Sequence, residues 1–176
     1  PGLIPKEKRL SDMISVETGL KLVPAGEISR KTFKLGDGQI FMFDAFCRFK
    51  VKENEIEDET EIKLVGTKPF DEFLEAKEYG ITTKPVIIGA FTLLKMIRYT
   101  GSKAAEDYTD AVISAYCELL DRFGKLGVEW IQFDEPYLVY DLDKKDIKLF
   151  EKIYKNILHV KGDIKVLLCT YFGDVR

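Results

Sequence analysis

Apolar positions recur along the chain with two different periods. From Ser102 to about Lys125, Ala105, Tyr108, Val112, Ala115, Leu119 and Phe123 follow one another at three- and four-residue steps. That spacing predicts a long amphipathic helix, closed by Gly124 and Gly127. Ile147, Phe150, Ile153, Tyr154 and Ile157 predict a second helix over "KKDIKLFEKIYKNILHV", Lys144 to Val160. A shorter helix is predicted in "TKPFDEFLEAKEYG". Thr67 or Lys68 leads into Pro69 at the first turn, acidic residues follow, and Gly80 ends it. Its stripe is Phe70, Phe73, Leu74 and Tyr79.

Short apolar runs lie between these helices. Val86, Ile87 and Ile88 in "KPVIIGAFTLL" suit a strand buried on both faces and ending at Gly89. "VEWIQF" and "DIKVLLCTYF" read as two further strands. Upstream, Phe41, Phe43, Ala45, Cys47 and Phe49 alternate within Gly38 to Val51, as in a strand or extended segment. The acidic run after it reads as a solvated loop with a short strand at about Glu61 to Val65. Pro1 to Glu27 has room for one short helix closing near Gly19. Gly36 and Gly38 in "LGDGQ" match no phosphate loop and read as a turn.

Helix and strand alternate at the spacing of βαβ units, which predicts a parallel sheet with right-handed crossovers. Three strands end in polar or glycine-containing turns: Gly89 to Thr92, Asp134-Glu135-Pro136, and Thr170 to Asp174. Equivalent ends of parallel strands share one face, and in a (β/α)8 barrel that face binds ligands. The expected fold is therefore α/β, part of a TIM-type (β/α)8 barrel, incomplete in this chain. Residues 1–66 are its divergent N-terminal segment and residues 67–176 its successive βα units. A complete barrel takes about 250 residues, and the last strand here has no covering helix. A bare parallel edge exposes unpaired backbone. The expectation is a larger protein, or a second chain completing the sheet.

Composition narrows the classes. Of 176 residues, 45% are hydrophobic and 32% charged, enough for a sizeable core and unlike a disordered chain. A net charge of -3 lacks the basic footprint of a nucleic-acid binder. No apolar run reaches the roughly 18 residues that span a bilayer, and the expectation is a chain without a signal peptide. Three cysteines, Cys47, Cys117 and Cys169, are widely spaced with no CxxC pair, which argues against a disulfide framework or a zinc knuckle. Cys117 and Cys169 read as small buried hydrophobes in a reduced, cytoplasmic setting.

"TKPVIIGAFTLL", "GVEWIQFDEPYLVYDL" and "VLLCTYFGDV" resemble, in order and spacing, the N-terminal barrel of cobalamin-independent methionine synthases. The resemblance covers Lys84 to Val175 and extends more loosely back to Thr67. It implies an enzyme of two (β/α)8 barrels that moves a methyl group from 5-methyltetrahydrofolate polyglutamate to homocysteine. It also implies that zinc and homocysteine are held by the C-terminal barrel, so that this chain carries no catalytic residue and no metal. The N-terminal barrel supports the architecture and lends basic residues to the folate tail. The chain departs from the family where "KWFDTNYHY" is usual. In "FMFDAFCRF", Phe41 stands at the lysine position and Phe46, Cys47 and Arg48 replace Asn, Tyr and His. These departures weigh against folate binding and leave a non-catalytic binding or assembly module as the alternative.

The candidate residues all lie at strand exits. Asp134 and Glu135 read as an acid/base or ligand pair, or as carboxylates that tie backbone N–H groups at the barrel mouth. Adjacent strand residues point to opposite faces unless the strand has already turned, a turn that Pro136 supports; the resemblance, which leaves this barrel no chemistry, favours the second. Thr92 reads as a helix cap or ligand contact. Thr170, Tyr171 and Asp174 read as an aromatic plug with a turn aspartate, or as ligand contacts. Trp130 reads as core packing. His159, the one histidine, falls between a helix and a strand, on the side opposite the Asp134 exit.

Overall fold

The structure, a computed structural model, describes residues 55–170, Gly173 and Val175, and the backbone of Val23–Ala25. The short helix near Gly19, the "LGDGQ" turn and the Phe41 to Phe49 segment lie outside the described residues, as do Cys47, Tyr171 and Asp174. The elements in chain order are β1 (Val23–Ala25), β2 (Glu55–Ile56), α1 (Lys68–Glu78), β3 (Thr83–Ile88), α2 (Ala90–Met96), β4 (Arg98–Tyr99), α3 (Ala105–Leu126), β5 (Trp130–Asp134), a 3-10 turn (Pro136–Val139), α4 (Lys144–His159) and β6 (Lys165–Cys169).

Sheet order is β1-β3-β5-β6, with every pairing parallel. Consecutive strands are joined through helices, the arrangement of an opened arc of a barrel wall. β2 and β4 form a separate two-stranded parallel pair.

Helices α3 and α4 cover one face of the sheet. The stripe of α3 buries Tyr108, Val112, Ala115, Leu119 and Phe123, and α4 buries Leu149, Ile153, Tyr154 and Ile157. Ile131 and Phe133 of β5 meet them with no exposed surface. Phe133 packs edge-on to Tyr116 at 5.7 Å between ring centroids and lies 6.4 Å from Tyr154. Phe70 fastens α1 to α3 through Phe123, 4.6 Å away. Gly127 ends α3 in the left-handed region (φ 80°), where a residue without Cβ fits best.

Several expectations change. No strand spans Glu61 to Val65; Leu64 makes an isolated bridge, and the short strand sits earlier, at Glu55–Ile56. Gly124 lies inside α3 rather than closing it. Leu74 on α1 and Tyr79 just after it are exposed, and Ala76 is buried in their place. On α4, Ile147 is exposed and Leu149 takes the inward position. A four-residue step drifts round a helix, and the core selects which apolar neighbour turns in. Cys117 and Cys169 are half-buried rather than fully buried. Trp130 is half-exposed, on the sheet face away from the helices, with Lys165 Nζ 5.4 Å from its ring centroid. The run after Gly89 is not a turn: it is α2.

Candidate functional site at the mouth of the parallel sheet

The strand pairing continues one residue past β3 and β5. Gly89 N–H donates to the Asp134 carbonyl at 2.7 Å, and Glu135 N–H donates to the Cys169 carbonyl at 2.7 Å. The period-two alternation therefore carries on to the rim. Ile131, Phe133 and Glu135 face the helices; Trp130, Gln132 and Asp134 face away from them. The two adjacent carboxylates serve opposite sides of the sheet.

Glu135 is fully buried. Its Oε1 accepts from the Phe91 N–H at 3.0 Å and its Oε2 from the Thr92 N–H at 2.7 Å. The Tyr154 hydroxyl of α4 donates to Oε1. The first N–H groups of a helix have no partner within it, and here one carboxylate takes two of them. The residue that would normally cap α2 is Gly89, which has no side chain to offer. A Cβ at Gly89 would lie 2.0 Å from the Glu135 Cδ, so the glycine leaves the path of the carboxylate clear. Burial pushes the Glu135 carboxyl above the usual range, opposed by hydrogen bonds from Thr92, Tyr154 and Phe91. Burial, and then the Glu135 charge, lift the Tyr154 phenol well above its ordinary value.

Thr92 lies inside α2 and is fully buried. It caps no following helix; its Oγ1 accepts the Tyr137 N–H at 3.1 Å and ties the turn after β5 to α2. Lys95 supports the same contact, 5.4 Å from the Tyr137 ring and 2.8 Å from Asp146. Thr170 is half-exposed at the end of β6, and its hydroxyl donates to the Gly173 carbonyl at 3.3 Å.

Asp134 is buried on the other face and accepts from Gln132 Nε2 at 2.7 Å. Gln132 Oε1 accepts from Lys84 Nζ. Cys169 stands in register with Asp134 on β6. Its thiol is pushed up by burial and by Asp134, with Lys84 acting in the opposite sense. The structure thus gathers Thr92 and Glu135 on the helix side and Asp134 on the other, with Thr170 at the edge. Sequence reasoning passed over Gly89, Lys84, Gln132 and Tyr154. The signal for Lys84 and Gln132 was present in the alternation, which sets polar side chains within two strands read as apolar.

A zinc site needs three or four N, S or O ligands converging on one point. Among the described residues no group of three or more His, Cys, Asp or Glu does so. His159 is exposed at the end of α4, and Cys169 lies on the opposite face of the sheet from Glu135. The described residues do not fit that metal.

Residues 52–176 match the family described as cobalamin-independent synthase, N-terminal domain. The chain belongs to this family. A 5-methyltetrahydropteroyltriglutamate–homocysteine methyltransferase of Campylobacter jejuni subsp. doylei is 50% identical over 122 residues, 69% of this chain and 16% of that protein. A protein of the same name from Bifidobacterium longum subsp. infantis is 50% identical over 124 residues, again 69% of this chain and 16% of the relative. A crystal structure described as that of a vitamin-B12-independent methionine synthase from Listeria monocytogenes superposes with a TM-score of 0.65 at 18% identity, covering 89% of this chain and 51% of that one. The cobalamin-independent synthase fold is thereby shown as well, as part of a TIM-type barrel. The chain spans about one sixth of the length of these curated relatives. Among the described residues, no helix is long and apolar enough to cross a membrane.

Proposed function

We propose that this chain is the supporting N-terminal barrel portion of a methionine synthase. The complete enzyme moves a methyl group from 5-methyltetrahydrofolate polyglutamate to homocysteine in the cytoplasm. The chemistry is done outside this chain, in a zinc-bearing C-terminal barrel that is also its chief partner. The names of the relatives support the reaction class, and the capping of α2 by Glu135 supports the division of labour. A carboxylate that receives two backbone N–H groups and a phenol from within the fold is not placed to exchange protons with a substrate. Asp134, on the face of the sheet away from the helices, is the mouth carboxylate that meets ligand. Thr170 lies at the rim, Thr92 holds the turn after β5, and Tyr171 and Asp174 are kept as further ligand-contact candidates.

The test is Asp134→Ala in the complete enzyme. The expected result is a raised folate KM with kcat within about tenfold of the parent, a barrier change of about 1.4 kcal/mol. A collapse of kcat at unchanged stability would show that Asp134 takes part in the methyl transfer. The chain by itself is expected to turn over no substrate until the zinc-bearing domain is added.

A second reading, a binding or assembly module, is favoured by Phe41 at the position of the family's lysine and by the exposed Leu167 and Leu168 on β6. In it a second copy completes the sheet. Light scattering coupled to size exclusion separates the readings: a monodisperse monomer argues against completion by a second copy.

A further inference from the structure

Three side chains on the sheet face away from the helices form a row across two strands. Lys84 lies at the foot of β3, Gln132 in the middle of β5 and Asp134 at its end. Val86 stands in register with Gln132 and Ile88 with Asp134. Period two then puts Lys84, Gln132 and Asp134 on one face. Gln132 is 5% exposed and Asp134 8%. Polar groups that deep are placed by their partners rather than by solvent.

The row has a direction. An ammonium has donors and no acceptor, and a carboxylate has acceptors and no donor. With Lys84 Nζ donating to Oε1, the Gln132 amide has its carbonyl turned down the strand. Its NH2 is turned up toward Asp134 Oδ1, 2.7 Å away. The amide cannot flip without setting a donor against the ammonium and an acceptor against the carboxylate. A positive charge therefore stands at the foot of the row and a negative one at the mouth, joined by an oriented dipole in a setting where such bonds are strong.

We propose that Lys84 is a positioning residue: acting through Gln132, it fixes the carboxylate of Asp134 at the barrel mouth in the orientation in which that carboxylate meets ligand. The ligand part of this statement rests on the role given to Asp134 above; the row itself does not. On the neighbouring strands, Ile88 of β3 and Cys169 of β6 stand beside Asp134, Lys84 reaches the row at Gln132, and Glu135, just past β5, faces the helices. Cys169 is thus a reporter beside the row, responding to Asp134 and Lys84 in opposite senses.

The experiment has two arms. The first uses the present chain with Cys47→Ser and Cys117→Ser, so that Cys169 is the only thiol, and follows its rate of modification against pH. Lys84→Met is expected to shift the thiol titration upward and Asp134→Asn downward. Gln132→Met, which removes no charge, is expected to shift it as well, because Asp134 is no longer held. A Gln132→Met profile that superposes on the parent, with melting unchanged, overturns the row. The second arm measures binding of 5-methyltetrahydropteroyltriglutamate to the complete protein by calorimetry. Asp134→Asn is expected to weaken binding about tenfold, the size of one charge-assisted hydrogen bond. Lys84→Met should weaken it similarly, and the double variant no further, because both changes remove the same interaction. Additive losses, about a hundredfold together, mean that Lys84 meets the ligand by itself and overturn the positioning role. Unchanged binding in Asp134→Asn, with the thiol shifts present, sinks the ligand role of Asp134 and leaves the row standing.

Discussion

Both oxygens of Glu135 are committed to α2, and the residue that allows this is Gly89. The backbone of Gly89 is extended (φ -73°, ψ 150°), a conformation open to any residue. The requirement for glycine is one of space: a methyl group there would fall 2.0 Å from the Glu135 Cδ. Gly89→Ala must swing the carboxylate aside and strand the Phe91 and Thr92 N–H groups. The expected loss is about 1–3 kcal/mol of stability by urea denaturation. In a Glu135→Ala background the same change should cost much less, because the obstructing group is gone. Equal losses in both backgrounds would show that Gly89 is needed for something other than room.

Helix α2 has seven residues and no cap of its own, so its N-terminus is held from β5 and α4. That arrangement makes the helix sensitive to one proton. Burial raises the Glu135 carboxyl above its ordinary value of 4.5. Above that value the unfolded chain has lost the proton while the folded chain still holds it. The unfolded state then binds fewer protons, and stability falls as pH rises toward the folded value. Denaturation of the parent and of Glu135→Gln between acid and neutral pH is expected to show this decline in the parent and a flatter curve in the variant. Identical slopes would mean that Glu135 keeps its ordinary ionisation inside the fold. The same feature explains which elements could be read from the chain. Helices α1, α3 and α4 were legible because their punctuation is local: Pro69 in a first turn, Gly127 after a last one, Asp143 accepting from the N–H groups of Lys145 and Asp146. Helix α2 was not, since its punctuation comes from residues more than forty positions away. The mouth was legible as a place, from polar residues after three apolar runs. The separate duties of Asp134 and Glu135 needed the strand pairing that continues to the rim and the neighbour at Tyr154.

At the scale of the molecule, β5 is paired on both sides and β6, among the described residues, on one. Leu167 and Leu168 on opposite faces of β6 are each 38% exposed. The β6 amides turned away from β5 are expected to exchange with solvent deuterium well ahead of those of β5, since exchange follows the least protected openings of a fold. Equal protection in the chain as a monomer would show that the edge is covered. Trp130, the only tryptophan, sits at the foot of this seam. It stands in register with Lys165, whose ammonium lies over its ring. All indole emission of the chain therefore comes from the first rung between the strand that carries Asp134 and the strand at the edge of the sheet. Parting of that rung can be followed optically, with no label added to the protein.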